Sequence, residues 1–137
     1  MPLTHILVDF DNKQPPIAEL AQLSATTQRL WIFTSPNSGK FNAEYVQALL
    51  AHEGRAQLVP CTKAGNNAVD LHIALHIGRL IADRAVDSDV KHGDEFVVVS
   101  ADKDFVPVLE FVRRLGYTVQ QVKALKEKNV RSGRRSS

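Results

Sequence analysis

The segment EFVVVS at residues 95–100 constrains the fold of this chain more than any other stretch. It is the most continuously β-branched run in the sequence, and a strand of that kind has no face suited to water. It therefore predicts a central strand of a parallel sheet, covered by helices on both sides. The rest of the chain alternates to match. Residues 3–9 (LTHILVD), 29–34 (RLWIFT), 56–60 (AQLVP) and 117–122 (YTVQQV) read as further strands. Helices are expected from Pro15-Pro16 to about residue 24, over 41–54 (FNAEYVQALLAHEG), over about 68–86 and over about 104–115. The resulting order, βαβαβαβαβ, implies a parallel sheet joined by right-handed crossovers.

Within these helices the apolar spacing predicts which side faces inward. In the second helix it selects Phe41, Tyr45, Leu49 and Val46; in the third, Leu71, Ala74, Leu75, Gly78 and Ile81 or Ala82. Trp31 reads as core. With 137 residues and 44% apolar composition the chain supports one core, placed in residues 1–122. Residues 123–137 read as a basic, flexible tail, since 123–135 carry six Lys or Arg against one Glu. The chain enters its first strand with no basic and apolar leader, and its lone Cys61 has no disulfide or zinc-ligand partner. A cytoplasmic protein with a buried thiol fits both observations.

Chemistry concentrates where strands should end. Asp9 and Asp11 follow the first apolar run, and Ser100, Asp102 and Asp104 follow the fourth. Neighbouring parallel strands would carry these acids to one edge of the sheet, where α/β folds place ligands. Four like charges gathered there need a cation among them, and oxygen donors select a hard divalent ion, Mg²⁺ or Mn²⁺. Helix capping accounts for one acid in SADKDF but does not need all of them. Asn12 stands three residues after Asp9, and Asp70 opens the third helix behind the polar loop KAGNN, whose first residue is Lys63. A basic tail beside an acidic pocket suits a phosphodiester: cations hold the backbone and carboxylates hold the metal.

His72, His76, Arg79 and Asp83 recur at spacings of four, three and four, which puts them on one helix face. Ile73 stands where a zinc protease would carry Glu, so this row reads as a polar face and a candidate contact surface for a second copy or an assembly partner. His5 and His52 have no partner at a recognisable spacing.

Taken in order, ILVDFDN, KAGNNAVDLHIALHIGRL and FVVVSADKDFVPVLEFVRRLGYTV resemble the PIN-like nucleases, in particular bacterial PIN-like and NYN-type domains, over residues 4–122. The matching features are Asp9 with Asn12, Lys63 with Asp70, and Ser100 with Asp102, Asp104 and Phe105. Asp11 is an acid beyond the family pattern, and NNAVD replaces the more usual basic lead into Asp70. The resemblance implies a Rossmann-like three-layer α/β/α sandwich with a five-stranded sheet in the order 3-2-1-4-5, and Mg²⁺- or Mn²⁺-dependent cleavage of RNA. Asp9, Asp70, Asp102 and Asp104 would hold the metal, Asn12 and Ser100 would orient groups, and Lys63, Lys123, Lys126, Arg131, Arg134 and Arg135 would bind nucleic acid. Two other readings use the same residues. A haloacid-dehalogenase-like phosphohydrolase would make Asp9 a nucleophile and Asp11 its acid, but VDFDNKQP lacks the Thr expected after the second Asp. A non-catalytic module would keep the fold and bind RNA or protein without cutting.

Overall fold

A computed structural model describes residues 2–10, 14–21, 27–35, 42–52, 54–61, 68–84 and 93–124. Five strands, β1 (Thr4–Asp9), β2 (Gln28–Thr34), β3 (Ala56–Pro60), β4 (Glu95–Val99) and β5 (Thr118–Val122), form one sheet in the order β3-β2-β1-β4-β5. Every pairing is parallel. The helices between them are α1 (Ile17–Ala21), α2 (Ala43–Leu50), α3 (Ala68–Arg84) and α4 (Val106–Arg114), and a 3-10 turn at Lys103–Phe105 leads into α4.

The period-2 alternation of the two inner strands explains the layers. From β1, Leu7 points into one core, with Phe33, Phe96 and Val98, where α3 adds Val69, Ile73, Ile77 and Leu80 and α4 adds Leu109 and Val112. Ile6 and Val8 point into the other, with Ile32, Val97 and Val99, where α1 supplies Leu20 and α2 brings Tyr45, Ala48 and Leu49. Phe96 to Val99 of β4 are all buried, as the β-branched run predicts. Cys61 is buried as expected. Trp31 is partly buried against the first core.

Two helix faces differ from the spacing argument. In α2, Val46 is 42% exposed while Tyr45, Ala48 and Leu49 face the sheet; Phe41 lies outside the described residues. In α3 the inward stripe is Val69, Ile73, Ile77 and Leu80, and Leu71 and Leu75 face water at 62% and 73% exposure. The helix carries two apolar stripes on opposite sides, and Asp70 decides between them. Asp70 and Ile73, three residues apart, share a face, so turning Asp70 toward the strand ends turns Leu71 and Leu75 away. The polar row is divided by the same rotation. Arg79 and Asp83 are exposed, but His76 is half-buried with its ring edge-on to Trp31 (centroids 4.5 Å apart) and Phe33 (5.4 Å). His72, His76, Arg79 and Asp83 are therefore not one solvated face.

At the amino ends of β1 and β4 sits a buried charge group. Asp94, 2% exposed, accepts from the Arg84 guanidinium at both carboxylate oxygens, from the Leu3 backbone N–H at 2.9 Å, and lies 3.0 Å from His5 Nε2. Trp31 Nε1 donates to His5 Nδ1 at 3.3 Å, which leaves Nε2 as the protonated nitrogen of a neutral ring. His52, also buried, is fixed 2.9 Å from the Leu20 carbonyl.

Candidate metal centre

The opposite, carboxyl edge of the sheet gathers the acids. Asp9 is the last residue of β1 and only 4% exposed. Val8 pairs with Val99, so the residue after β4, Ser100, arrives beside it, and the Ser100 hydroxyl donates to Asp9 Oδ2 at 3.0 Å. The same Oγ accepts the Asp102 N–H at 3.1 Å, and Asp102 Oδ1 accepts the Asp104 N–H at 2.9 Å as the cap of the 3-10 turn. These two bonds hold the turn that carries Asp102 and Asp104. Asp70 enters from above, in the first turn of α3, where the helix dipole favours a negative charge.

Asp70, Asp102 and Asp104 each present a carboxylate oxygen within 4.8 Å of the other two. Exposure is graded: Asp70 and Asp102 are half-buried and Asp104 faces solvent. Asp70 Oδ2 is buried with no hydrogen-bond partner among the described residues. Burial first, then a hydrogen bond to Asp102 and the charges of Asp102, Asp9 and Asp104, push the Asp70 carboxyl up to about 7. The donor set, all carboxylate oxygens with one orphaned, fits a hard divalent ion in that place.

Of the residues singled out from the sequence, the fold brings Asp70, Asp102 and Asp104 into one cluster and sets Asp9 and Ser100 directly behind it. Lys123, one residue beyond β5, is exposed at the same edge. Asn12, Asp11, Lys63, Lys126, Arg131, Arg134 and Arg135 lie outside the described residues. Sequence reasoning passed over Gln121 in β5. Its side-chain amide donates to the Ser100 carbonyl at 2.9 Å and the Asp102 carbonyl at 2.6 Å. The pair of amides near the end of that strand, in YTVQQV, was the available signal.

A family model described as the PIN domain matches residues 3–122. The chain belongs to the PIN domain family. No curated protein and no solved structure matches it. PIN domains are typically nucleases that act on nucleic acids with divalent metal ions, and this PIN domain carries a carboxylate cluster suited to one. Among its described residues no helix is long and apolar enough to cross a membrane.

Proposed function

We propose that this PIN domain is a divalent-metal-dependent endoribonuclease of the NYN-like type, using Mg²⁺ or Mn²⁺. The observation that carries this reading is the convergence of Asp70, Asp102 and Asp104, which each bring a carboxylate oxygen within 4.8 Å of the others, with one Asp70 oxygen buried and unpartnered among the described residues. These three, with Asp9 behind them, would hold the metal. When bound, a hard divalent ion supplies Lewis-acid polarisation of a phosphodiester and offsets charge on the leaving oxygen. The protein's part is placement. The Ser100 hydroxyl holds Asp9 and the Asp102 backbone at once, so the acids keep their spacing as substrate approaches.

The same bonds argue against a covalent enzyme intermediate. Ser100, 1% exposed, has its proton on Asp9 and its lone pair on an N–H, and Cys61 is 2% exposed. Asp9, 4% exposed and hydrogen-bonded, is poorly presented for in-line attack, which disfavours the phosphohydrolase reading. Water is the nucleophile in this proposal. Asn12 would orient groups at the site, and Lys63, Lys123, Lys126, Arg131, Arg134 and Arg135 would hold the RNA backbone through charge. A cytoplasmic location is proposed on the lone, reduced Cys61.

The test is incubation of the protein with labelled single-stranded RNA and DNA in Mg²⁺, Mn²⁺ or EDTA, beside an Asp70→Asn/Asp102→Asn variant. Metal-dependent RNA cutting, lost in the folded variant, is expected. RNA bound but not cut by the wild type in either metal would favour the non-catalytic module.

A further inference from the structure

The turn that carries two of the three clustered acids is short, and its conformation is held from outside. Ser100 is tied at its backbone, where its N–H donates to the Val122 carbonyl at 3.0 Å. Past that point the parallel ladder ends, and the chain must leave the sheet to present Asp102 and Asp104. At this place Gln121 Nε2 reaches the carbonyls of both Ser100 and Asp102, at 2.9 and 2.6 Å. One amide nitrogen has two hydrogens, and both carbonyls lie within its reach, so the amide brackets Ala101 and pins the residue that begins the 3-10 turn. On the opposite side of the turn the Ser100 hydroxyl takes the Asp102 N–H. Asp102 is therefore gripped at its carbonyl by β5 and at its N–H by Ser100.

We propose that Gln121 is a positioning residue for the metal centre, clamping the Ser100–Asp102 backbone so that Asp102 and Asp104 face Asp70. This rests on the reading of the acid cluster as a divalent-ion site. Gln121 would touch neither metal nor substrate. Groups that orient metal ligands from outside typically contribute about 10–100-fold to metal affinity, and a comparable effect is expected here. Its neighbour Gln120 is the internal control: it is buried in the same strand, but its amide goes to Glu95 Oε2 at 3.2 Å, away from the turn.

The experiment compares the full chain with Gln121→Met, Gln121→Asn and Gln120→Met. Two readouts are taken: Mn²⁺ affinity by calorimetry, and hydrogen–deuterium exchange over residues 100–105 without metal. Gln121→Asn keeps the amide but withdraws it by one methylene, and it serves should Gln121→Met fail to fold. The proposal expects Mn²⁺ affinity to fall about tenfold or more in the Gln121 variants, exchange over 100–105 to quicken, and Gln120→Met to match wild type in both. Unchanged affinity in a folded Gln121 variant, or an equal loss in Gln120→Met, overturns it. A wild-type protein that takes up no Mn²⁺ overturns instead the metal reading beneath it. In that case the exchange data still report whether the clamp holds the turn.

Discussion

At the amino end of the sheet, Asp94 meets a guanidinium, an imidazole and a backbone N–H; at the carboxyl end, Asp70 meets two more carboxylates and the charge of a third. The same helix serves both ends, since α3 carries Asp70 in its first turn and Arg84 in its last. Their electrostatics run in opposite directions. Burial alone would raise Asp94, but the Arg84 hydrogen bond, the Leu3 N–H and His5 hold its carboxyl below the usual carboxylate range. Burial and like charges raise Asp70 to about 7. Asp94 is compensated within the fold and reads as structure. Among the described residues the groups that shift Asp70 are acids and none offsets its charge, which is what marks a site.

That contrast can be broken most forcefully at the amino end. Arg84→Met strands a carboxylate that is 2% exposed, and removing one partner of a buried ion pair costs about 3–5 kcal/mol. Urea denaturation at pH 7 should show a loss of that order, partly recovered in Arg84→Met/Asp94→Asn. A loss within error would mean Asp94 is not held as described.

At the carboxyl end the sign reverses. Asp70→Asn removes a like charge, and in EDTA at pH 8 the variant should be more stable than wild type by about 1 kcal/mol, a figure discounted because Asp70 is only half-buried. Added Mn²⁺ should then raise the wild-type midpoint and not the variant's. A destabilised Asp70→Asn would show that the cluster is already compensated.

Smaller still is the acid limb of the stability curve. Burial lowers the His5 pKa below 6.5 and outweighs its hydrogen bond to Asp94, so below that pH the unfolded chain takes up a proton that the folded chain refuses. Asp94, with a depressed folded pKa, contributes stability above its unfolded value that is lost as pH falls through the folded one. Both act in one direction. Asp70 works the other way, since its raised pKa makes the folded chain take up a proton as pH falls through about 7. In an Asp70→Asn background, which removes that contribution, the melting temperature should fall from pH 7 toward pH 4, and His5→Phe should flatten the upper part of that fall. A melting temperature of the Asp70→Asn protein that rises on acidification through this range would contradict the neutral His5 assignment.

The smallest effect expected is on the outward side of the helix that joins the two ends. Leu75→Gln, at a position 73% exposed, should change stability by no more than about 0.5 kcal/mol. A larger loss would put Leu75 in contact with something and reopen the choice of α3 face.

How much of this was legible beforehand follows from the range of the interactions. The strands and their alternation with helices are local, and periodicity found all nine elements among the described residues, although the sheet order came from family resemblance. The α3 face was misread because Leu71 and Leu75 repeat at helical spacing as well as Ile73 and Ile77 do, and only the demand for Asp70 at the strand ends separates them. Asp9, Asp102 and Asp104 could be picked out because they follow apolar runs at strand ends, where α/β folds place ligands, and Asp70 because it opens a helix behind the polar loop KAGNN. Asp94, His5 and Trp31 were not. Their contacts join residues 89 and 26 positions apart with no motif between them. Gln121 escaped for the same reason, since its partners lie 21 and 19 residues earlier.

The most direct test of the central claim, that the carboxyl-end acids are left uncompensated in order to bind a divalent ion, is a calorimetric titration with Mn²⁺. Wild type and Asp70→Asn/Asp102→Asn would be compared at pH 7.5, with Arg84→Lys as a folded control. The account predicts saturable binding to wild type and the control and none to the double variant. Equal binding by all three, or none by wild type, would contradict it.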